Sequence, residues 1–189
     1  REIAEHAITL VRNDDKLVPL AGLKPDAHIF NLAITNGDDR LWIANGFANA
    51  LASSGYKVET VVLDDRSTDE EVKKALERAS RADIAIASLY GRVRTGQARS
   101  VGLPEPGASA LNALIGSRMR LVGISFGNPY LLQSFPEMKT YLVAYGDMPS
   151  LQQAAARALL GQIDVTGKLP ISLPGLYPRG TGVQLKRVK

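Results

Sequence analysis

An α/β architecture is expected: a three-layer α/β/α sandwich on a mostly parallel sheet of five or six strands. Three observations support it. Apolar runs of strand length alternate with amphipathic stretches of helical length. The strand-like runs are apolar on both faces, as in a sheet covered on both sides. Capping and turn residues stand at most junctions.

Taken in order, REIAEHAITLVRN (1–13) places Ile3, Ala7, Leu10 and Val11 at helical spacing and is expected to form one helix. A natural protein seldom begins inside such a helix, so further sequence is expected before Arg1. AHIFNLAIT (27–35) is the first strand, and NGDD follows as a turn in which Asp38 or Asp39 can cap a helix. RLWIANGFANALASSG (40–55) is that helix, apolar at Leu41, Ile43, Ala44, Phe47, Ala48 and Leu51, with Gly55 as its C-terminal cap. KVETVVL (57–63) is the second strand. STDEEVKKALERAS (67–80) is the clearest helix, capped by Ser67 or Thr68, with Val72, Leu76 and Ala79 as its inner stripe.

ADIAIASLY (82–90) is the third strand and PEPGASALNALIGS (104–117) a helix opened by proline. RLVGISF (120–126) is the fourth strand, GNPYLLQSFP (127–136) a turn and short helix, and TYLVAYG (140–146) the fifth strand. SLQQAAARALLG (150–161) is a helix ending at Gly161. GKLPISLPG (167–175), punctuated by proline, suits an extended edge segment. No repeat, low-complexity stretch or linker interrupts the pattern, so residues 1–189 are expected to form one domain.

Composition excludes several functions. With 189 residues, 45% of them hydrophobic, the chain can bury a substantial core. The net charge is +4, but the last five residues carry three of the 23 cations, leaving 20 against 19 acids. No broad basic face is implied, and no nucleic-acid partner is expected. The chain contains no cysteine, which removes disulfides, thiolate zinc sites and cysteine nucleophiles. His6 and His28 lack a second histidine at metal-ligand spacing, so neither a metal nor a cofactor is expected. No run reaches the roughly 20 apolar residues of a membrane span. The compartment stays open, with a bacterial periplasmic or secreted location favoured over a cytoplasmic one.

Ligands of an open parallel sheet bind beyond the carboxyl ends of its strands. In the loop after the third strand, Gly91 and Gly96 have phosphate-loop spacing. Gln97 and Ala98 stand where that loop needs Lys and then Ser or Thr, so nucleotide hydrolysis is not supported. Arg92, Arg94 and Arg99 can clasp an anion or a sugar carboxylate, although a solvated loop is the preferred reading. Glu105 is the loop's sole carboxylate and its only local proton donor. Its place at a helix start explains it without chemistry.

After the fourth strand, Ser125 in GISFG lacks the G-x-S-x-G elbow, and no histidine partner is near in sequence. After the fifth, Asp147 or Ser150 is expected to cap the next helix. The pairs Asp38–Asp39 and Asp64–Asp65 each precede a helix and read as solvated turns with caps.

Several segments together resemble the second domain of glycoside hydrolase family 3. They are AEHAITLVRNDDKLVPL (4–20), SFGNPYLL (125–132) and AYGDMPSLQQAAARALLGQIDVTGKLPISLPGLYPRG (144–180). The run Val11-Arg12-Asn13-Asp14, then Leu17-Val18-Pro19-Leu20, and the closing Gly167-Lys168-Leu169-Pro170 carry most of the likeness. The resemblance implies a six-stranded α/β sandwich and a retaining hydrolysis of β-linked sugars. Its nucleophile is then an aspartate on an N-terminal barrel domain, absent from these 189 residues. The wording is nearest the β-N-acetylhexosaminidase branch, whose acid/base group is a histidine on the barrel.

No catalytic residue is carried over. The implied role is that of an accessory domain, inactive alone, whose partners are the barrel of the same polypeptide and a carbohydrate. Arg92, Arg94 and Asn128 are its candidate substrate-binding or interdomain residues. Two other readings remain: a β-glucosidase-type domain in which Glu105 supplies the proton, and a non-catalytic carbohydrate-binding or docking module. GLYPRGTGVQL (175–185) is expected to form an arm lying on a neighbour.

Overall fold

A computed structural model describes residues 2–92 and 102–188. Its strands are β1 (Thr9–Asn13), β2 (His28–Thr35), β3 (Lys57–Leu63), β4 (Ile84–Tyr90), β5 (Leu121–Ser125) and β6 (Thr140–Val143). The helices are α1 (Glu2–Ala7), α2 (Asn45–Ala52), α3 (Asp69–Ala79), α4 (Glu105–Gly116), α5 (Leu131–Ser134) and α6 (Pro149–Leu159). One sheet runs in the order β1-β6-β5-β4-β2-β3. All pairings are parallel except β1 with β6.

Alternation along the strands builds the two covered faces. Ile29 and Ala33 of β2 join Ile84, Ile86 and Tyr90 of β4 in a core packed under α1, α2 and α6. The intervening Phe30, Leu32 and Ile34 join Ala85, Ala87 and Leu89 under α3, α4 and α5. Every residue of β4 is buried, as a central strand of a doubly covered sheet requires. At α3, Thr68 and Glu71 form a reciprocal capping box. Ala75 and Ala79 are its buried residues, while Val72 and Leu76 pack at the core's margin.

Three expectations are corrected. The opening segment is not one helix: α1 stops at Ala7, and β1 supplies the sixth strand as the antiparallel edge. Ile8, Thr9 and Val11 are β-branched and favour extended backbone. A helix would put Leu10 and Val11 on one side, whereas the strand sends them to opposite cores. The segment 40–55 is a turn followed by α2. The Asp39 carbonyl accepts the N–H groups of both Trp42 and Ile43, so the helix begins only at Asn45.

The third correction concerns the closing segments. GKLPISLPG joins no sheet strand and contributes one isolated bridge, Leu173 with Tyr177, while Leu169 and Leu173 are buried in the second core. The arm 175–185 lies back on its own chain. Val183 N–H donates to Leu10 O at 2.7 Å, and Arg12 Nε donates to the Tyr177 hydroxyl at 2.6 Å. The exposed edge of β1 is thereby covered, which removes a template for unwanted pairing. Gly167 makes the crossing possible: a Cβ there would lie 2.4 Å from the Ile8 carbonyl oxygen.

Candidate site at the carboxyl edge of the sheet

The parallel strands β2, β4, β5 and β6 release their loops on one edge. There Arg92, two residues beyond β4, joins loops from three strands. Asn36, just after β2, grips its backbone: Arg92 N–H donates to Asn36 Oδ1 at 3.1 Å, and Asn36 Nδ2 donates to Arg92 O at 2.8 Å. The guanidinium reaches Asp39 through Nη2 at 2.5 Å and Asp147, after β6, through Nε at 2.9 Å. Nη2 also bonds Asp147.

Asp39 in turn accepts from Thr35 Oγ1 at 2.9 Å, and Thr35 Oγ1 accepts the Gly37 N–H at 3.0 Å. Gly37 leaves room for the guanidinium, since a Cβ there would lie 2.4 Å from Nη1. Burial disfavours the charge on Arg92, but the hydrogen bonds to Asp39 and Asp147 outweigh it and raise its pKa.

Tyr90 lies beneath this cluster, stacked on Phe126 at 4.9 Å, with Phe47 edge-on to Phe126 at 5.2 Å. Burial, with the charges of Asp147 and Asp39, pushes the Tyr90 hydroxyl well above its ordinary pKa. Beyond β3, Asp64 is fully buried and forms a second ionic knot. Arg66 grips it through Nε at 3.1 Å and Nη2 at 2.6 Å, and Arg40 through Nη1 at 3.1 Å. Arg40 also bonds Glu71 at 2.5 Å. Burial alone would raise the Asp64 pKa; the Arg66 hydrogen bonds and the Arg40 charge more than reverse this and lower it.

These contacts revise the expected roles. Arg92 is shared by two carboxylates, while its side chain stays 38% exposed. Asp147 and Ser150 do not cap α6: its N-cap is Met148, with Pro149 opening the helix and no side-chain cap bond. Of each acidic pair, one member is buried and ion-paired (Asp39, Asp64), and the other faces solvent (Asp38, Asp65). A capping role fails for Asp39 because α2 starts later, and for Asp64 because Thr68 caps α3.

Asn128 shapes the turn into α5. Its Oδ1 accepts the Tyr130 N–H at 2.9 Å, and its carbonyl accepts from Ser125 Oγ at 2.8 Å. Ser125 is thus buried and engaged. Glu105 is exposed as the first residue of α4. Arg94 and Arg99 lie outside the described residues. Local sequence could not reveal the Asp39–Arg92–Asp147 clip. Its available signal was topological: opposite charges on loops that all leave apolar strands at the same edge.

Around the clip stand exposed apolar side chains: Leu41 (82%) and Trp42 (61%) after β2, Tyr130 (41%) after β5 and Met148 (58%) after β6. All four sit on loops that leave the sheet at this edge. Among the described residues no group of three or more His, Asp or Glu could hold a metal ion. No described helix is long and apolar enough to cross a membrane.

The chain is similar to a curated protein of Cellulomonas fimi named β-N-acetylglucosaminidase/β-glucosidase. The two are 26% identical over 180 residues, spanning 90% of this chain and 31% of the relative. Among solved structures, a glycoside hydrolase family 3 β-N-acetylglucosaminidase from Paenibacillus sp. strain FPU-7 superposes with a TM-score of 0.74 at 25% identity. That match covers 91% of this chain and 31% of the other. A fungal multi-domain β-N-acetylglucosaminidase of the same family shares the fold, with a TM-score of 0.73 at 24% identity, over 94% of this chain and 19% of its own. The chain thus spans about a third or less of these relatives. Residues 8–181 match the model of the glycosyl hydrolase family 3 C-terminal domain, and the chain belongs to that family.

Proposed function

We propose that this chain is the C-terminal domain of a retaining β-N-acetylhexosaminidase that releases terminal β-linked N-acetylglucosamine. The attacking aspartate and the acid/base histidine then stand on a barrel domain of the same polypeptide. The single observation that carries this reading is the fate of the carboxylates at the carboxyl edge. Retaining hydrolysis needs two catalytic groups poised across the bond, for paired carboxyls roughly 5 Å apart. Asp39 and Asp147 are both bound to Arg92, and Asp64 is buried under two arginines. Such groups build a rigid edge rather than attack an anomeric carbon.

In this reading the apolar rim of Leu41, Trp42, Tyr130 and Met148 faces the barrel. Arg92 and Asn128 serve that face by holding its loops in place. The chain is an accessory to catalysis and is inactive alone. Pure isolated chain should give no turnover of a chromogenic N-acetylglucosaminide, whereas the longer polypeptide encoded around it should. Turnover by the isolated chain, or a longer polypeptide inert on this sugar, would sink the proposal.

A second reading rests on the double name of the Cellulomonas fimi relative and on the exposed position of Glu105 at the same edge. There Glu105 donates the proton in a β-glucosidase-type reaction. Glu105→Gln in the longer polypeptide separates the two. The first reading expects an unchanged rate, and the second a loss of about 10²–10⁴-fold.

A further inference from the structure

The amino edge of the sheet, opposite the rim, carries a two-part depression. Its first part is a cleft of about 500 Å³ bordered by Asp15, Lys16, Arg118, Arg120, Glu137 and Lys139. Its second is an apolar groove of about 460 Å³ along Leu76, Ala82, Ala113, Leu114 and Met119. The two parts share Leu114, Ser117, Arg118 and Met119, so they are continuous.

The cleft carries four cations, Lys16, Arg118, Arg120 and Lys139, against the two acids Asp15 and Glu137. Lys139 approaches Asp15 at 3.9 Å. Lys16, Arg118 and Arg120 have no ion-pair partner among the described residues. Most other arginines near the sheet, including Arg12, Arg40, Arg92 and Arg157, are bound to acids.

One wall is also fixed in advance. Asn13 exchanges two hydrogen bonds with Val18, at 2.8 and 3.2 Å, and Asp14 N–H donates to Lys139 O at 2.9 Å. Arg12 Nη1 ties down the opposite loop through Pro136 O at 2.6 Å and Met138 O at 3.0 Å. The Arg12-Asn13-Asp14 run thus shapes the cleft, without reaching the carboxyl edge.

We propose that cleft and groove together bind an anionic amphiphile: a phosphate or carboxylate head on an alkyl chain. The head lies among Arg118, Arg120 and Lys16, where planar guanidinium groups match its oxygens. The chain lies along Leu76, Ala113 and Leu114, which a purely hydrophilic anion would leave wet. This site does not rest on the function proposed above, which concerns the other edge of the sheet.

Calorimetric titration with dodecyl phosphate, below its micelle concentration, tests it on the chain itself. Saturable one-site binding is expected. It should weaken at least tenfold in the Arg118→Gln/Arg120→Gln double variant and in Ala113→Glu. These positions are exposed, so circular dichroism should show both variants folded. Shortening the alkyl chain should cost about fourfold in affinity per methylene. Phosphatidylglycerol vesicles identify the source of the head. Co-sedimentation abolished in the arginine variant points to a lipid surface, and monomer binding without it to a free amphiphile. Absence of saturable binding, affinity unchanged in the double variant, or indifference to chain length overturns the proposal.

Discussion

Arg92 meets one carboxylate 53 residues upstream and another 55 residues downstream, and no local pattern announces either contact. The sequence presented Arg92 in a glycine- and arginine-rich loop and suggested solvent. Partial burial makes an unpaired guanidinium costly, so the fold supplies counter-ions from neighbouring loops. Asp64 follows the same logic and has a measurable consequence. Its folded pKa lies below the ordinary value of 3.8. A depressed carboxylate contributes stability in full above its unfolded pKa and loses it as pH falls through the folded one. Asp64→Asn should therefore destabilise the chain by about 1–3 kcal/mol at pH 7. The gap from wild type should begin to narrow below about pH 4 and close only as pH falls through the depressed folded value. A series of urea melts from pH 7 downward checks this; a gap that does not narrow as the pH falls would exclude ionisation as the cause.

At the scale of elements, caps and apolar periods were legible wherever a helix or strand is governed by its own residues. Thr68 and Glu71 announce α3, and Pro104 and Glu105 announce α4, because helix ends must satisfy their own backbone donors. β1 was missed because a short segment with apolar residues at 3, 7, 10 and 11 satisfies helical spacing by accident. The β-branched Ile8, Thr9 and Val11 together with the open edge of β6 decide in favour of a strand. The closing GKLP was visible as a motif but not as a crossing. Gly167 passes so close to Ile8 that a methyl group would collide with its carbonyl. Gly167→Ala should cost roughly 1–3 kcal/mol through displacement of β1. The expected reading is a lower urea midpoint with an unchanged slope. A midpoint equal to wild type would show that the crossing has slack.

For the whole molecule, the relation to family 3 follows from the match over residues 8–181 and from the shared fold. What distinguishes the carboxyl edge is a rigid ionic interior ringed by exposed apolar groups. If that ring meets a barrel, Trp42→Ser should leave the isolated chain's stability within about 0.5 kcal/mol, because the side chain is exposed. The same variant should lower the activity of the longer polypeptide. Full activity in that setting would remove Trp42 from the interface.

The order of strands and helices, the two-sided sheet and the family could be read from the chain because they rest on local periodicity, capping and contiguous motifs. Which charges neutralise one another, which strand closes the sheet's edge and where the last residues lie could not. Those outcomes depend on groups far apart in sequence that share a partly dehydrated space, and a buried charge or an open strand edge takes whatever partner the folded chain brings near.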